Sequence, residues 1–138
     1  MTPQQIAVIQ KGFAAVAPAA DDVAKAFYMR LFELNPELRS LFPEDLTEQR
    51  KKLMQSIALV VKSLEKFEEV IPALQEMGKR HVDYDVSIED YDTVGQALLD
   101  TLEAGLGTAF DDEAREAWTE AYTAIATTMQ SGVPSGSV

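Results

Sequence analysis

The 138-residue sequence contains no cysteine, one histidine and one tryptophan, and its acidic residues outnumber its basic ones by 23 to 12. The missing thiols exclude a disulfide framework, a thiolate zinc site, an iron–sulfur cluster and a cysteine nucleophile. The single imidazole, His81, excludes any centre that needs two, such as a zinc-protease motif. With a net charge of −11, the chain has too little basic surface to displace counterions, which argues against nucleic acid and anionic membrane as partners. Long apolar runs are missing too. Ile57–Val61 falls far short of the ~20 residues that cross a bilayer. The start, Met1-Thr2-Pro3-Gln4-Gln5, lacks the basic region and apolar run of a signal peptide, so a soluble, cytoplasmic protein is expected.

What remains is enough for a core. Hydrophobic residues make up 46% and charged residues 25%, close to globular averages. At one domain per ~150 residues the chain reads as a single domain, with residues 1–131 folded and the low-complexity stretch 132–138 a disordered tail. Thr2, Pro3 and Gln5 match an N-cap, a first-turn proline and a capping-box glutamine, and Ile6, Ile9, Phe13 and Val16 follow at helical spacing up to Pro18. A second helix is expected from about Asp21 to Leu34, with Val23, Phe27, Leu31 and Leu34 on one stripe. Asn35-Pro36 ends it, because the residue before proline avoids helical geometry.

A short turn through Leu38, Leu41 and Phe42 closes at Pro43. From about Leu46, the residues Leu53, Ile57, Val60, Val61 and Leu64 repeat at helical spacing, and Val70, Leu74, Met77 and His81 form the next stripe. Ser87 is the expected cap for a helix bearing Tyr91, Val94, Leu98 and Leu102 that stops near Gly105 and Gly107. Asp111 caps the last, with Trp118, Ala121, Tyr122, Ile125 and Met129 in register. No alternating strand pattern survives inspection. The chain is therefore expected to be all-α, with six substantial helices and one or two short ones packed round one core.

Chemistry must be built around His81 or around carboxylates. The acidic pairs Asp21-Asp22, Glu68-Glu69 and Glu89-Asp90, and the run Asp111-Asp112-Glu113, fall mostly at expected helix starts, where they complement the macrodipole. Arg50-Lys51-Lys52 reads as a solvated basic face and Trp118 as core. His81 lies on the apolar stripe of its helix, four residues after Met77. Two readings stand side by side: a boundary histidine satisfied by a backbone carbonyl, or an axial ligand projecting from an apolar wall to the iron of a planar cofactor.

The segments Phe27-Tyr28-Met29-Arg30-Leu31-Phe32 and Asn35–Phe42 resemble the second and third helices of bacterial single-domain haemoglobins. Gly78-Lys79-Arg80-His81, with Tyr84 and Val86 after it, is similar to their proximal region, and Tyr91–Leu99 and Ala117–Tyr122 to their last two helices. The resemblance covers about residues 3 to 130 and is to globins of the three-over-three type, nearest the globin modules of flavohaemoglobins. It implies a haem b (iron protoporphyrin IX) and a gas-binding function for dioxygen, nitric oxide and carbon monoxide.

Residue by residue, the resemblance makes His81 the iron ligand, packs Phe42 on the haem face and sets Leu53 over the iron. Tyr28 and Gln49 become the distal ligand-binding residues, Lys52 and Arg80 pair with the propionates, and Met77, Val86, Tyr91, Val94 and Leu98 line the walls. A phenol and an amide suit that distal role physically. Dioxygen on ferrous iron draws electron density and accepts from both donors, each contributing about 1–3 kcal/mol, whereas carbon monoxide gains less. Slow oxygen release is the expectation. Tyr28 could equally be a helix-boundary aromatic, and Gln49 a solvated residue beside Arg50-Lys51-Lys52.

With one histidine, a bis-histidine haem is impossible, and any sixth ligand must be water, Tyr28, Gln49 or a lysine such as Lys52. Flavohaemoglobins also back the proximal histidine with a tyrosine and a glutamate. Tyr91 matches the tyrosine, but Val133 stands at the glutamate position, which implies a weaker electron push on the iron. The resemblance thus implies reversible oxygen binding, for transport or storage, rather than a self-contained enzyme. Alternatives are nitric oxide dioxygenation with an external reductase, since no flavin or nicotinamide domain is expected here, a gas or redox sensor, or a globin-fold module that has lost its haem.

Overall fold

A computed structural model describes residues 2–83 and 88–131, and within these limits the chain forms six α-helices and no strand. They are α1 (Pro3–Val16), α2 (Ala20–Leu34), α3 (Thr47–Lys62), α4 (Ile71–Asp83), α5 (Ile88–Leu106) and α6 (Asp112–Ser131). The Thr2 hydroxyl accepts from the Gln5 amide at 3.1 Å while the Gln5 side chain accepts from the Thr2 amide at 3.0 Å, completing the capping box at the head of α1. Asp111 accepts from the Ala114 amide at 2.9 Å and starts α6. The expected cap Ser87, the tail 132–138, Tyr84, Val86 and Val133 lie outside the described residues.

Short helical pieces are more numerous than the sequence suggested. Four 3₁₀ segments, Ala17–Ala19, Pro36–Leu41, Leu64–Glu69 and Gly107–Ala109, join the helices among the described residues. The stripe from Leu53 to Leu64 therefore does not belong to one helix. α3 ends at Lys62, and the chain turns sharply through Lys66 before α4. Apolar spacing carries no signal for this break, because Val61 before it and Leu64 after it are both buried. Leu46, at the head of α3, supplies no side-chain cap. Asp45 does this instead, accepting from the Thr47 amide at 2.9 Å.

The helices pack as two layers, α1, α3 and α4 over α2, α5 and α6. The closest seams are α2 on α5 and α4 on α6. Glycine makes the second seam tight: a Cβ on Gly78 would sit 1.8 Å from the Met129 carbonyl oxygen. One buried cluster joins Ile9, Leu74, Leu102, Trp118 and Met129, and a second gathers Phe27, Tyr28, Leu31, Leu38 and Ala97. The three-over-three all-α arrangement is the one the resemblance implied. No described helix is long and apolar enough to cross a membrane.

Candidate functional site

Between α3 and α4 lies a cavity of about 180 Å3 whose walls are almost entirely apolar. Leu53, Ile57 and Val60 of α3 form one wall; Leu74, Met77 and His81 of α4 form the other; Tyr91, Val94 and Leu98 of α5 close one side. Of the residues singled out in the sequence, Leu53, Met77, His81, Tyr91, Val94 and Leu98 are thus brought to one space. Its floor was not legible beforehand. Ile9 of α1 and Trp118, Ala121, Tyr122, Ile125 and Met129 of α6 complete it. The helical register of α6 marked these as inward-facing, but a core stripe and a cavity wall look alike in sequence.

His81 is half-buried at the rim. Its Nδ1 lies 2.6 Å from the Met77 carbonyl, one turn earlier. A carbonyl only accepts, so the ring presents an N–H at Nδ1. Orientation of one ring nitrogen by a backbone carbonyl is how proteins prepare the other for a metal. The Tyr91 ring stands 6.4 Å from the imidazole, tilted by 30°. Tyr91 is held in turn by α6, since the Tyr122 hydroxyl donates to its carbonyl at 2.6 Å. Burial, with Tyr91 and Asp92 close by, pushes the Tyr122 phenol far above its ordinary range, so it remains a donor. Gly95 makes room for this contact: a Cβ there would come within 2.7 Å of the Tyr122 ring.

Tyr28, Phe42 and Gln49 do not line the cavity. Tyr28 and Phe42 belong to the neighbouring aromatic cluster, which meets the cavity through Phe27, Leu53, Val94 and Leu98. The Tyr28 ring packs edge-on against Phe42 at 5.5 Å and against Phe27 at 5.0 Å. Tyr28 is buried, and that burial raises its pKa. Gln49, at the start of α3, comes near enough to the hydroxyl to favour the ionised form and draw it part of the way back. Lys52 and Arg80 are exposed and line no part of the cavity.

Arg50 departs from the expected solvated face. Its side chain is 18% exposed and its Nε donates to Asp21 at 2.9 Å, tying the first turn of α3 to that of α2. Asp21-Asp22, Glu89-Asp90 and Asp112-Glu113 occupy first turns of helices, as read from the sequence, whereas Glu68-Glu69 ends a 3₁₀ segment. Among the described residues no group of three or more acidic or histidine side chains could hold a bare metal ion. A haem has different needs: an apolar slot and one oriented imidazole nitrogen. The α3–α4 cavity and His81 meet both.

The globin family profile matches residues 25–129. Among relatives, the chain is 37% identical to a flavohaemoprotein of Oceanobacillus iheyensis over 75% of its own length and 26% of that protein's. It is 29% identical to a flavohaemoprotein of Vibrio cholerae over 91% of its length and 33% of that protein's. The chain thus spans about a quarter to a third of the flavohaemoproteins it matches. A bacterial globin from Campylobacter jejuni superposes with a TM-score of 0.84 at 27% identity, covering 95% of both chains. An engineered carbene transferase from Rhodothermus marinus also gives 0.84, covering 95% of this chain and 92% of that one, and at 24% identity it shows the fold alone. The profile over residues 25–129 and the fold over 95% of the chain agree, and the chain belongs to the globin family.

Proposed function

We propose that the protein is a haem b globin that reversibly binds dioxygen, and with it nitric oxide and carbon monoxide, in the space between α3 and α4. The observation that carries this reading is the His81 geometry: one imidazole, oriented through Nδ1 by the Met77 carbonyl, on the rim of an apolar cavity. Haem supplies a ferrous iron able to take up a diatomic gas. His81 Nε2 would hold that iron, and Leu53, Val94 and Leu98, in the same walls, would keep water from it. Phe42 would pack against the macrocycle, and the exposed Lys52 and Arg80 would supply cations for its propionates. Tyr28 and Gln49 would donate to the bound gas, which favours a guest that accumulates negative charge over one that stays neutral.

Absorption spectra of protein expressed with haem test the reading. A Soret band that changes between ferric, deoxy-ferrous and oxygenated forms is expected. Its complete absence would end the haem assignment.

The kinship with flavohaemoproteins favours a second reading, nitric oxide dioxygenation. That reaction needs an electron in each cycle, delivered by a reductase module or partner lying outside these 138 residues. Nitrate formed over many turnovers with a reductase present, against one turnover without it, would support this reading. A single turnover under both conditions would leave gas binding alone.

A further inference from the structure

We infer that Arg39 is a positioning residue for the distal side of the site, holding Phe42 and, through it, Tyr28 in place. The inference rests on the reading of Tyr28 and Gln49 as distal donors. Residues 42–45 follow neither the 3₁₀ segment before them nor α3 after them, so their carbonyls lack the regular partners of a helix. The Arg39 guanidinium takes their place. Its Nη1 donates to the Pro43 carbonyl at 2.9 Å and, at the longer distance of 3.4 Å, to that of Phe42, while Nη2 donates to Glu44 at 2.8 Å.

The same group lies over the Phe32 ring, 5.4 Å from its centre. Phe32 packs against Phe42 at 5.7 Å and Tyr28 at 6.0 Å, and Phe42 against Tyr28 at 5.5 Å. One side chain therefore grips the backbone of Phe42 and the ring on which Phe42 and Tyr28 both lean. Arg39 lines no part of the cavity, so it acts through these aromatics and not on the ligand. The task needs a planar fork with several fixed donors. A lysine ammonium keeps the charge but cannot reach successive carbonyls while stacking on a ring.

Arg39→Met, Arg39→Lys and Tyr28→Phe, singly and with Arg39→Met combined with Tyr28→Phe, test this. Hydrogen exchange across residues 42–50 is read by mass spectrometry in haem-free and haem-loaded protein, and oxygen release in loaded protein. Both Arg39 variants are expected to speed exchange across 42–50 by about tenfold, leaving α5 unchanged, and to speed oxygen release by about tenfold. In the Tyr28→Phe background Arg39→Met should add little. Unchanged exchange across 42–50, full rescue by lysine, or a purely additive effect in the double variant overturns the inference. If Tyr28→Phe alone leaves release unchanged, the distal-donor reading falls, and the exchange data alone decide whether Arg39 holds the segment.

Discussion

His81 and Met77 stand one helical turn apart, and the 2.6 Å contact turns the Nδ1 edge of the imidazole toward the Met77 carbonyl. Because the orienting group is backbone, no substitution at Met77 removes it; only the imidazole can be taken away. His81→Gly should therefore lose the Soret band, and added imidazole should restore it by occupying the vacated space. A Soret band of normal intensity in His81→Gly without imidazole would overturn the ligand assignment. On the other side, Tyr28→Phe removes one donor while keeping the ring contacts with Phe27 and Phe42. A hydrogen bond to a charged acceptor contributes about 1.5–3 kcal/mol, so oxygen release measured by stopped flow should accelerate about tenfold to a hundredfold, with carbon monoxide release little changed. At this scale the sequence was informative about residue type and silent about contact. Nothing in the spacing of Arg39 and Glu44 announces that one side chain reaches the other's carbonyl.

At the scale of elements, end signals were legible because they are local. Thr2 with Gln5, Asn35-Pro36 and Asp111 each act through backbone groups within a few residues, and each helix begins or ends where they stand. The break between α3 and the segment Leu64–Glu69 was hidden, since both pieces bury apolar side chains on the same side of the fold. Gly78 is the element-scale residue on which the site depends. Glycine inside a helix costs about 1 kcal/mol relative to alanine, and it persists here because α4 touches the α6 backbone. Alanine would force the helices apart and carry His81, three residues on, with them. Gly78→Ala should cost about 3 kcal/mol or more in chemical denaturation and speed haem loss. A stabilised variant, as helix propensity alone would give, would contradict the close approach.

For the whole molecule, burial and charge set opposite limits on stability. Hydrogen bonding to Arg50 holds the Asp21 carboxylate below its ordinary 3.8, so its contribution is present above that value and lost as pH falls through the lower, folded one. Burial raises Tyr28, Tyr91 and Tyr122 above their ordinary 10.0, so their contribution is complete below 10.0 and lost as pH rises through the folded values. Thermal midpoints should be level between these limits and fall on both sides. Tyr122→Phe should lower the midpoint at neutral pH by losing its bond to the Tyr91 carbonyl, yet flatten the alkaline fall. An equally steep alkaline limb in that variant would refute the role given to Tyr122.

The sequence by itself determined the fold class, those helix ends that carry a local cap or proline signal, and the inventory of chemistry. Helical periodicity and capping act over one or two turns, and a lone histidine without cysteine leaves few kinds of centre open. Only the tertiary structure decided that α1 and α6 complete the cavity, that Tyr28 and Phe42 sit beside it rather than in its walls, and that the Arg39 guanidinium reaches the Pro43 and Glu44 carbonyls. These depend on contacts between residues distant along the chain or on backbone left without helical partners. Neither leaves a period in the sequence, because the same apolar or charged residue serves equally well in a core, on a surface or against a ligand.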